Sequence, residues 1–401
     1  MKPSHIDWCP MIPDHWEEKR IKDIAFLQSG NSITAMDFVE DGKYPVYGGN
    51  GLRGYTNTYT NEGDYVLIGR QGALCGNINY AHGKFYASEH AVVVYPKKEE
   101  ITLWLGETLR TANLNRLSMT AAQPGLAVST LNLQFIPFPP KDERIRIAKY
   151  LDKKFSEIDH QVSFLTSKRD AYLRLKKSII NHAVTRGLDP NVKMKDSGIE
   201  WIGEVPGHWE VKRLKNVVEC NAKSLGENTP KDSFIKYVEI SDVDHVHGIN
   251  NIQSLMFGEA PSRARRITQK GDIIISTVRT YLKAIAKIED DDIIVSTGFA
   301  VLHPTKCNGE YLAYYILSES FINKVEMLSK GTSYPAINAS DLVSINVLIP
   351  PLPEQHAIAT YLDDKCAKID TIVSNLNKQI SRYADLKRSL IDEVITGKRA
   401  V

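Results

Sequence analysis

The sequence predicts an α+β chain: two globular domains separated and joined by two long helices that form an antiparallel coiled coil, with a pseudo-twofold internal repeat. Three observations predict it. A tryptophan-containing motif occurs twice, a proline-led block occurs twice at a different offset, and each block runs into a sustained heptad pattern. The corresponding boundaries are 1–141 for the first domain, 142–187 for the first long helix and 188–200 for a linker. The second domain spans 201–352 and the second helix 353–397.

The first motif reads Ile6-Asp7-Trp8, then Pro13-Asp14-His15-Trp16-Glu17 and Lys19-Arg20-Ile21-Lys22. It returns 193 residues later (Trp8 to Trp201) as Ile199-Glu200-Trp201, Pro206-Gly207-His208-Trp209-Glu210 and Lys212-Arg213-Leu214-Lys215. The second block returns after 211 residues (Pro139 to Pro350). Pro139-Pro140 becomes Pro350-Pro351, Glu143 becomes Glu354, Tyr150-Leu151-Asp152 becomes Tyr361-Leu362-Asp363, and Thr185 becomes Thr396. Between the two blocks the copies share little beyond a Gly-Asp before an apolar run, at Gly63-Asp64 and Gly271-Asp272. Framework is kept and interior is changed, which is what two specificities on one scaffold require.

In the first helix Leu151, Ile158, Leu165, Tyr172 and Ile179 recur every seven residues; in the second Leu362, Ile369, Leu376, Tyr383 and Leu390 do so. Apolar residues at that period with charged flanks predict a coiled-coil seam. No Gly or Pro interrupts Lys141 to Arg186, so the first helix is expected to reach about 65 Å at 1.5 Å per residue. A stripe of that length needs a partner, and the obvious one is its own copy, antiparallel if the repeat obeys a twofold.

Both interiors read as short strands and glycine-rich turns with one helical stretch each, near Leu103–Leu117 and Gly309–Leu328. Strand candidates are Asp64–Ile68 and Ala91–Tyr95, then Phe234–Val238, Asp272–Ile275 and Ile293–Val295. The loops hold side chains able to read base edges, Arg on guanine and Asn or Gln on adenine. In the first domain the candidates are Asn50, Arg70 and Gln71, within Tyr47–Gly51 and Gly69–Gly72. In the second they are Arg263, Arg265 and Arg266, with Thr277, Arg279 and Lys283 in a following segment.

Composition narrows the function classes. The 401 residues are 42% hydrophobic and 24% charged, as in ordinary globular proteins, and no apolar run approaches the roughly 18 residues of a membrane span. The N-terminal stretch has no apolar secretory core, so a cytoplasmic location is expected. Five scattered cysteines form no CxxC pair and the eleven histidines no metal-ligand spacing, so reduced thiols and no metal site are expected. A phosphate-binding GxxxxGK[ST] loop is missing, and Phe138 and Ile349 precede the Pro-Pro pairs where an adenine methyltransferase motif would place Asn or Asp. A chain without catalysis follows. Net charge of +2 is low for a self-sufficient DNA binder, so either the basic residues are concentrated on one face or partner subunits supply part of the phosphate attraction.

The chain resembles the specificity (DNA-recognition) subunits of type I restriction–modification systems. The likeness is sharpest over Ala183–Val192, Met194–Gly203 and Pro206–Leu214, and in Pro350-Pro351-Leu352-Pro353-Glu354-Gln355 with Ile358 and Tyr361-Leu362-Asp363; the first copy departs with Arg144 where the second has Gln355. The resemblance implies that each interior is a target-recognition domain reading one half of an asymmetric bipartite duplex. It implies that the paired helices set the spacing and dock two methyltransferase subunits carrying S-adenosylmethionine. Motor-nuclease subunits, where the system has them, would add ATP- and Mg-dependent translocation and cleavage. The rival class is a coiled-coil adaptor that binds proteins and no DNA.

Overall fold

The computed structural model describes residues 1–72, 74–98, 101–118, 125–245 and 247–401. They form two compact units. One comprises Met1–Thr166 with Lys378–Val401, the other Ser167–Asn377. The helical segments 142–187 and 353–397 are each divided between the two.

The first unit opens with an antiparallel hairpin, β1 (Lys2–Ile6) and β2 (Cys9–Ile12), followed by β3 (Glu17–Arg20), the short helix α1 (Ile21–Ile24) and β4 (Ala25–Ser29). Next come β5 (Tyr44–Gly48), β6 (Gly51–Thr56), β7 (Asn61–Glu62), β8 (Tyr65–Gly69), β9 (Ile78–Ala81), β10 (Lys84–Ala87) and β11 (Ala91–Pro96). Helices α2 (Thr102–Thr111) and α3 (Val128–Asn132) precede β12 (Phe135–Phe138), which enters α4 (Lys141–Arg186). The strands make an antiparallel sheet in the order β4-β11-β8-β9 and a mixed sheet β6-β5-β10-β7, in which only β5 and β10 run parallel. Strand β12 returns to pair with β3, bringing both ends of the domain to the foot of the helix.

The second unit repeats that plan. A hairpin of β13 (Met194–Asp196) and β14 (Glu204–Pro206) leads to β15 (Glu210–Arg213), β16 (Val218–Cys220) and β17 (Phe234–Val238). A small hairpin, β18 (Val243–Asp244) with β19 (Gly248–Ile249), is added before β20 (Gln253–Met256), β21 (Ala264–Ile267), β22 (Ile273–Ser276) and β23 (Ile285–Lys287). Strands β24 (Ile293–Ser296) and β25 (Phe299–Pro304), helices α5 (Gly309–Ile316), α6 (Glu319–Leu328) and α7 (Ala339–Leu342), and β26 (Asn346–Ile349) lead into α8 (Leu352–Ile395). Its sheets run β16-β25-β22-β23 and β20-β17-β24-β21, again with one parallel pair, β17 and β24. The interiors that share almost no sequence share strand order and strand sense.

The stretch Gly309–Leu328, expected as one helix, is two. Ser318 interrupts it: its hydroxyl donates to the Tyr315 carbonyl at 2.6 Å and accepts from the Phe321 amide, capping α6. The stretch 188–200, read as a linker, carries β13.

Each unit holds an antiparallel pair of helix segments, and each core is completed by the other copy's helix. In the first unit Ile391, Val394 and Ile395 pack into one cluster with Trp16, Trp104, Ile147 and Leu151. In the second, Ile180, Ala183 and Val184 join Trp209, Tyr311, Ile358 and Leu362. Fully burying a Val or Ile contributes about 1.5–3 kcal/mol, so these last turns hold each unit closed. Of the heptad residues, Leu151, Ile158, Leu165, Leu362, Ile369, Leu376 and Leu390 are buried, whereas Tyr172, Ile179 and Tyr383 are half-buried. Burial passes from Ile179 to Ile180 because a straight helix of 3.6 residues per turn drifts away from a strict seven-residue repeat. Among the described residues no helix is long and apolar enough to cross a membrane.

Candidate nucleic-acid interface

The two repeated sequence blocks meet in one joint. His15 bonds Glu143 at 2.9 Å, and its counterpart His208 bonds Glu354 at 2.7 Å. Each glutamate stands in the first turn of its long helix, where a carboxylate also favours the helix dipole. Trp16 and Trp209 are buried beside these pairs, and the Trp209 indole donates to Glu354 at 3.1 Å. Gly187 and Gly397, both left-handed at φ 78° and 72°, end the long helices against Trp209 and Trp16 respectively. Arg144, the departure from the second copy, does the same work as Gln355. Its guanidinium donates to the Pro139 carbonyl as the Gln355 amide does to Pro350, while its face stacks on Phe138 at 4.1 Å.

In the first unit the two glycine-rich loops named from sequence touch each other. A Cβ on Gly69 would lie 2.0 Å from the Gly49 carbonyl oxygen, so only glycine permits the approach. Asn50 is exposed in the two-residue turn between β5 and β6 and accepts a bond from the Asn77 amide at 2.7 Å. Arg70 follows β8, half-buried, with its guanidinium on the Ser29 hydroxyl at 2.9 Å; Gln71 is exposed. The structure therefore gathers Asn50, Arg70 and Gln71 on one edge. Asn77, which sequence reasoning missed, joins them by a contact 27 positions along the chain.

In the second unit the grouping is partial. Arg263 and Thr277 flank the turn between β24 and β25: the Thr297 amide bonds the Arg263 carbonyl at 2.8 Å, and the Thr277 amide bonds the Gly298 carbonyl at 2.8 Å. Arg263 is exposed, and its charge reaches the buried Tyr237 hydroxyl, whose pKa burial pushes up. Arg265 and Arg266, expected in a loop, lie on β21. Pairing with β24 through a bulge between Ala264 and Arg266 draws them into the sheet. Both are half-buried; Arg265 stacks on Phe257 at 4.8 Å, and Arg266 sits near Cys220. Lys283 is tied to Glu326 at 3.4 Å and lines the same cavity as His245. That histidine's pKa is lowered by burial first and then by Lys177 and Lys283. Arg279 is exposed and rests over the Tyr334 ring at 5.1 Å.

Backbone hydrogen bonds show that Arg70 and Thr277 occupy one position in the two domains. The Arg70 amide donates to the His90 carbonyl and its carbonyl accepts from the Leu126 amide, both at 2.9 Å. For Thr277 the partners are Gly298 and Ile337, at 2.8 and 2.9 Å. One residue on, Gln71 bridges Gly125 and Val278 bridges Ala336. The loop is fastened identically while its side chains differ completely. Among the described residues no cluster of His, Cys, Asp or Glu could hold a metal ion.

The family model for the type I restriction modification DNA specificity domain matches residues 13–163 and 206–382. The chain belongs to that family. The match falls on both copies, each from its Pro-x-His-Trp motif into its long helix. The type I restriction enzyme EcoprrI specificity subunit of Escherichia coli is 36% identical over 168 residues, 41% of this chain and 42% of that protein. The MjaVIII specificity subunit of Methanocaldococcus jannaschii is 24% identical over 96% of this chain and 93% of its own length. A solved structure described for complex assembly and conformational transition of a type I R-M system shares the fold, with a TM-score of 0.69 at 16% identity, covering 96% of this chain and 98% of that one. Specificity subunits are the non-catalytic members of these systems.

Proposed function

We propose that this specificity subunit reads an asymmetric, bipartite duplex DNA target, one half with each unit. The observation that carries the reading is the shared loop anchor: Arg70-Gln71 and Thr277-Val278 hang from the same backbone bonds on the same topology but offer different side chains. A common frame with exchanged chemistry is what two different half-targets demand. Asn50, Arg70 and Gln71 in the first unit and Arg263, Thr277 and Arg279 in the second are the residues assigned to base or phosphate contact. Arg265, Arg266 and Lys283 would act at most from the flank, given their packing.

The long helices are assigned to docking two methyltransferase subunits. Leu175 and Leu386, equivalent positions of the two copies, are both exposed, at 47% and 45%. S-adenosylmethionine, and ATP with Mg where a motor-nuclease joins, belong in this reading to those partners, in the cytoplasm, with no cofactor on this chain. No observation favours the adaptor alternative.

Mapping methylated adenines in cells with and without this gene tests the assignment. A bipartite motif should lose methylation when the gene is removed, and exchanging residues 1–140 for those of another member should change one half of it. Unchanged methylation at every motif would overturn the reading.

A further inference from the structure

We infer that Arg279, held against the ring of Tyr334, reads a guanine edge in the half-target engaged by the second unit; the inference rests on the DNA-reading function proposed above. Three observations within that unit lead there.

The first is backbone geometry. Arg279 and Lys283 both adopt the left-handed region at φ 51°, bracketing the turn Thr280–Leu282. A non-glycine residue there costs about 1–2 kcal/mol, and two in one turn persist only where the surroundings enforce them. They do. The Thr280 amide donates to the Pro335 carbonyl at 3.2 Å, the Thr280 hydroxyl to the Ser329 hydroxyl at 2.8 Å, and Val278 bridges Ala336. Lys330 and Ala336 exchange both backbone bonds, closing the hairpin that carries Tyr334.

The second is the side chain. Among the described residues no carboxylate pairs with Arg279, whereas Lys283 has Glu326. The Tyr334 ring under its guanidinium limits its orientations without consuming its donors. A planar fork so held matches the O6 and N7 acceptors of guanine; adenine would set its amino group against the fork, and thymine offers one acceptor. Preorganisation lowers the entropy lost on contact.

The third is exposure. Tyr334, whose ring carries the guanidinium, is 66% exposed, and Tyr281 and Leu282, in the turn that follows Arg279, are 52% and 42% exposed, so exposed apolar side chains share the turn with this cation. Apolar side chains beside the cation can contact a neighbouring thymine methyl or wedge against a base step, contacts that a phosphate does not offer.

The test is selection from a randomised duplex library by the purified complex of the full chain with its methyltransferase. Arg279→Ala is expected to reduce the preference for guanine at one position of one half-target by at least about tenfold, with Arg279→Lys falling between it and the unaltered chain. Tyr334→Ala should give a smaller loss at that same position, and Tyr334→Phe should retain it. The other half-target serves as the folding control. A uniform weakening across all sequences with a shallower salt dependence would make Arg279 a phosphate contact and overturn the inference. So would an unchanged motif in Arg279→Ala. If the unaltered complex selects no motif at all, the DNA-reading function itself falls.

Discussion

The ammonium of Lys387 donates to both carboxylate oxygens of Asp159, at 2.9 and 3.1 Å, in the first unit. In the second unit Lys176 makes the same fork to Asp370, at 2.7 and 2.8 Å. Asp370 is the repeat counterpart of Asp159, and Lys387 that of Lys176. One pairing rule thus joins the copies in both directions. The Lys387 ammonium also lies over the Phe155 ring at 4.4 Å, which fixes its stem along the seam.

Reversing that pair tests the helix register. Both partners are solvent-accessible, so Lys387→Asp alone should cost only about 1 kcal/mol or less through the lost pair and the new repulsion. The double change Asp159→Lys with Lys387→Asp should recover most of it, a coupling that a double-mutant cycle of denaturant midpoints reads directly. Additive effects would mean that the two residues do not meet.

The joint at the foot of each helix is unequal between copies. Glu354→Ala removes the acceptor of a buried indole and of His208, and an orphaned buried donor costs about 1–3 kcal/mol. The Trp16 indole nitrogen has no such bond in the first unit, so Glu143→Ala should cost less. Thermal unfolding of the two single variants should rank them in that order; the reverse order would contradict the bonding described.

Gly69→Ala places a methyl 2.0 Å from the Gly49 carbonyl oxygen, backbone that cannot step aside without moving the Asn50 turn. Overpacking of this kind costs about 1–3 kcal/mol. The methylation pattern should lose fidelity in a single half-target while the other half is retained. Full retention of both halves would separate this edge from recognition.

Burial raises the thiols of Cys9 and Cys307 to about 11. At pH 8 that leaves about one thiolate per thousand, so an aromatic disulfide reagent should label both slowly in the folded chain and quickly once it unfolds. Rapid labelling of either thiol without unfolding would show that its surroundings open readily.

The legible part of this protein is the part made by side chains. The His-Trp motif and the glutamate after the prolines recur because one joint needs that imidazole, that indole and that carboxylate together, and the heptad leucines recur because a seam needs apolar volume at fixed spacing. Asn50, Arg70 and Gln71 were legible singly, as polar residues in glycine-rich loops; that the two loops touch, Gly69 against Gly49, was not. The strand position of Arg265 and Arg266 was not. A basic tripeptide reads as solvated loop until a neighbouring strand supplies its hydrogen bonds.

By itself, then, the sequence determined the duplication, the two long helices, the framework joints and the polar loops between strands. Tertiary structure decided that each core is completed by the last turns of the other copy's helix, and that two dissimilar interiors share one sheet order. It also decided that Arg70 and Thr277 are the same position. The reason is physical: strand pairing and loop anchoring run through backbone amides and carbonyls, which every residue but proline carries in full, so such equivalence leaves no trace in side-chain identity.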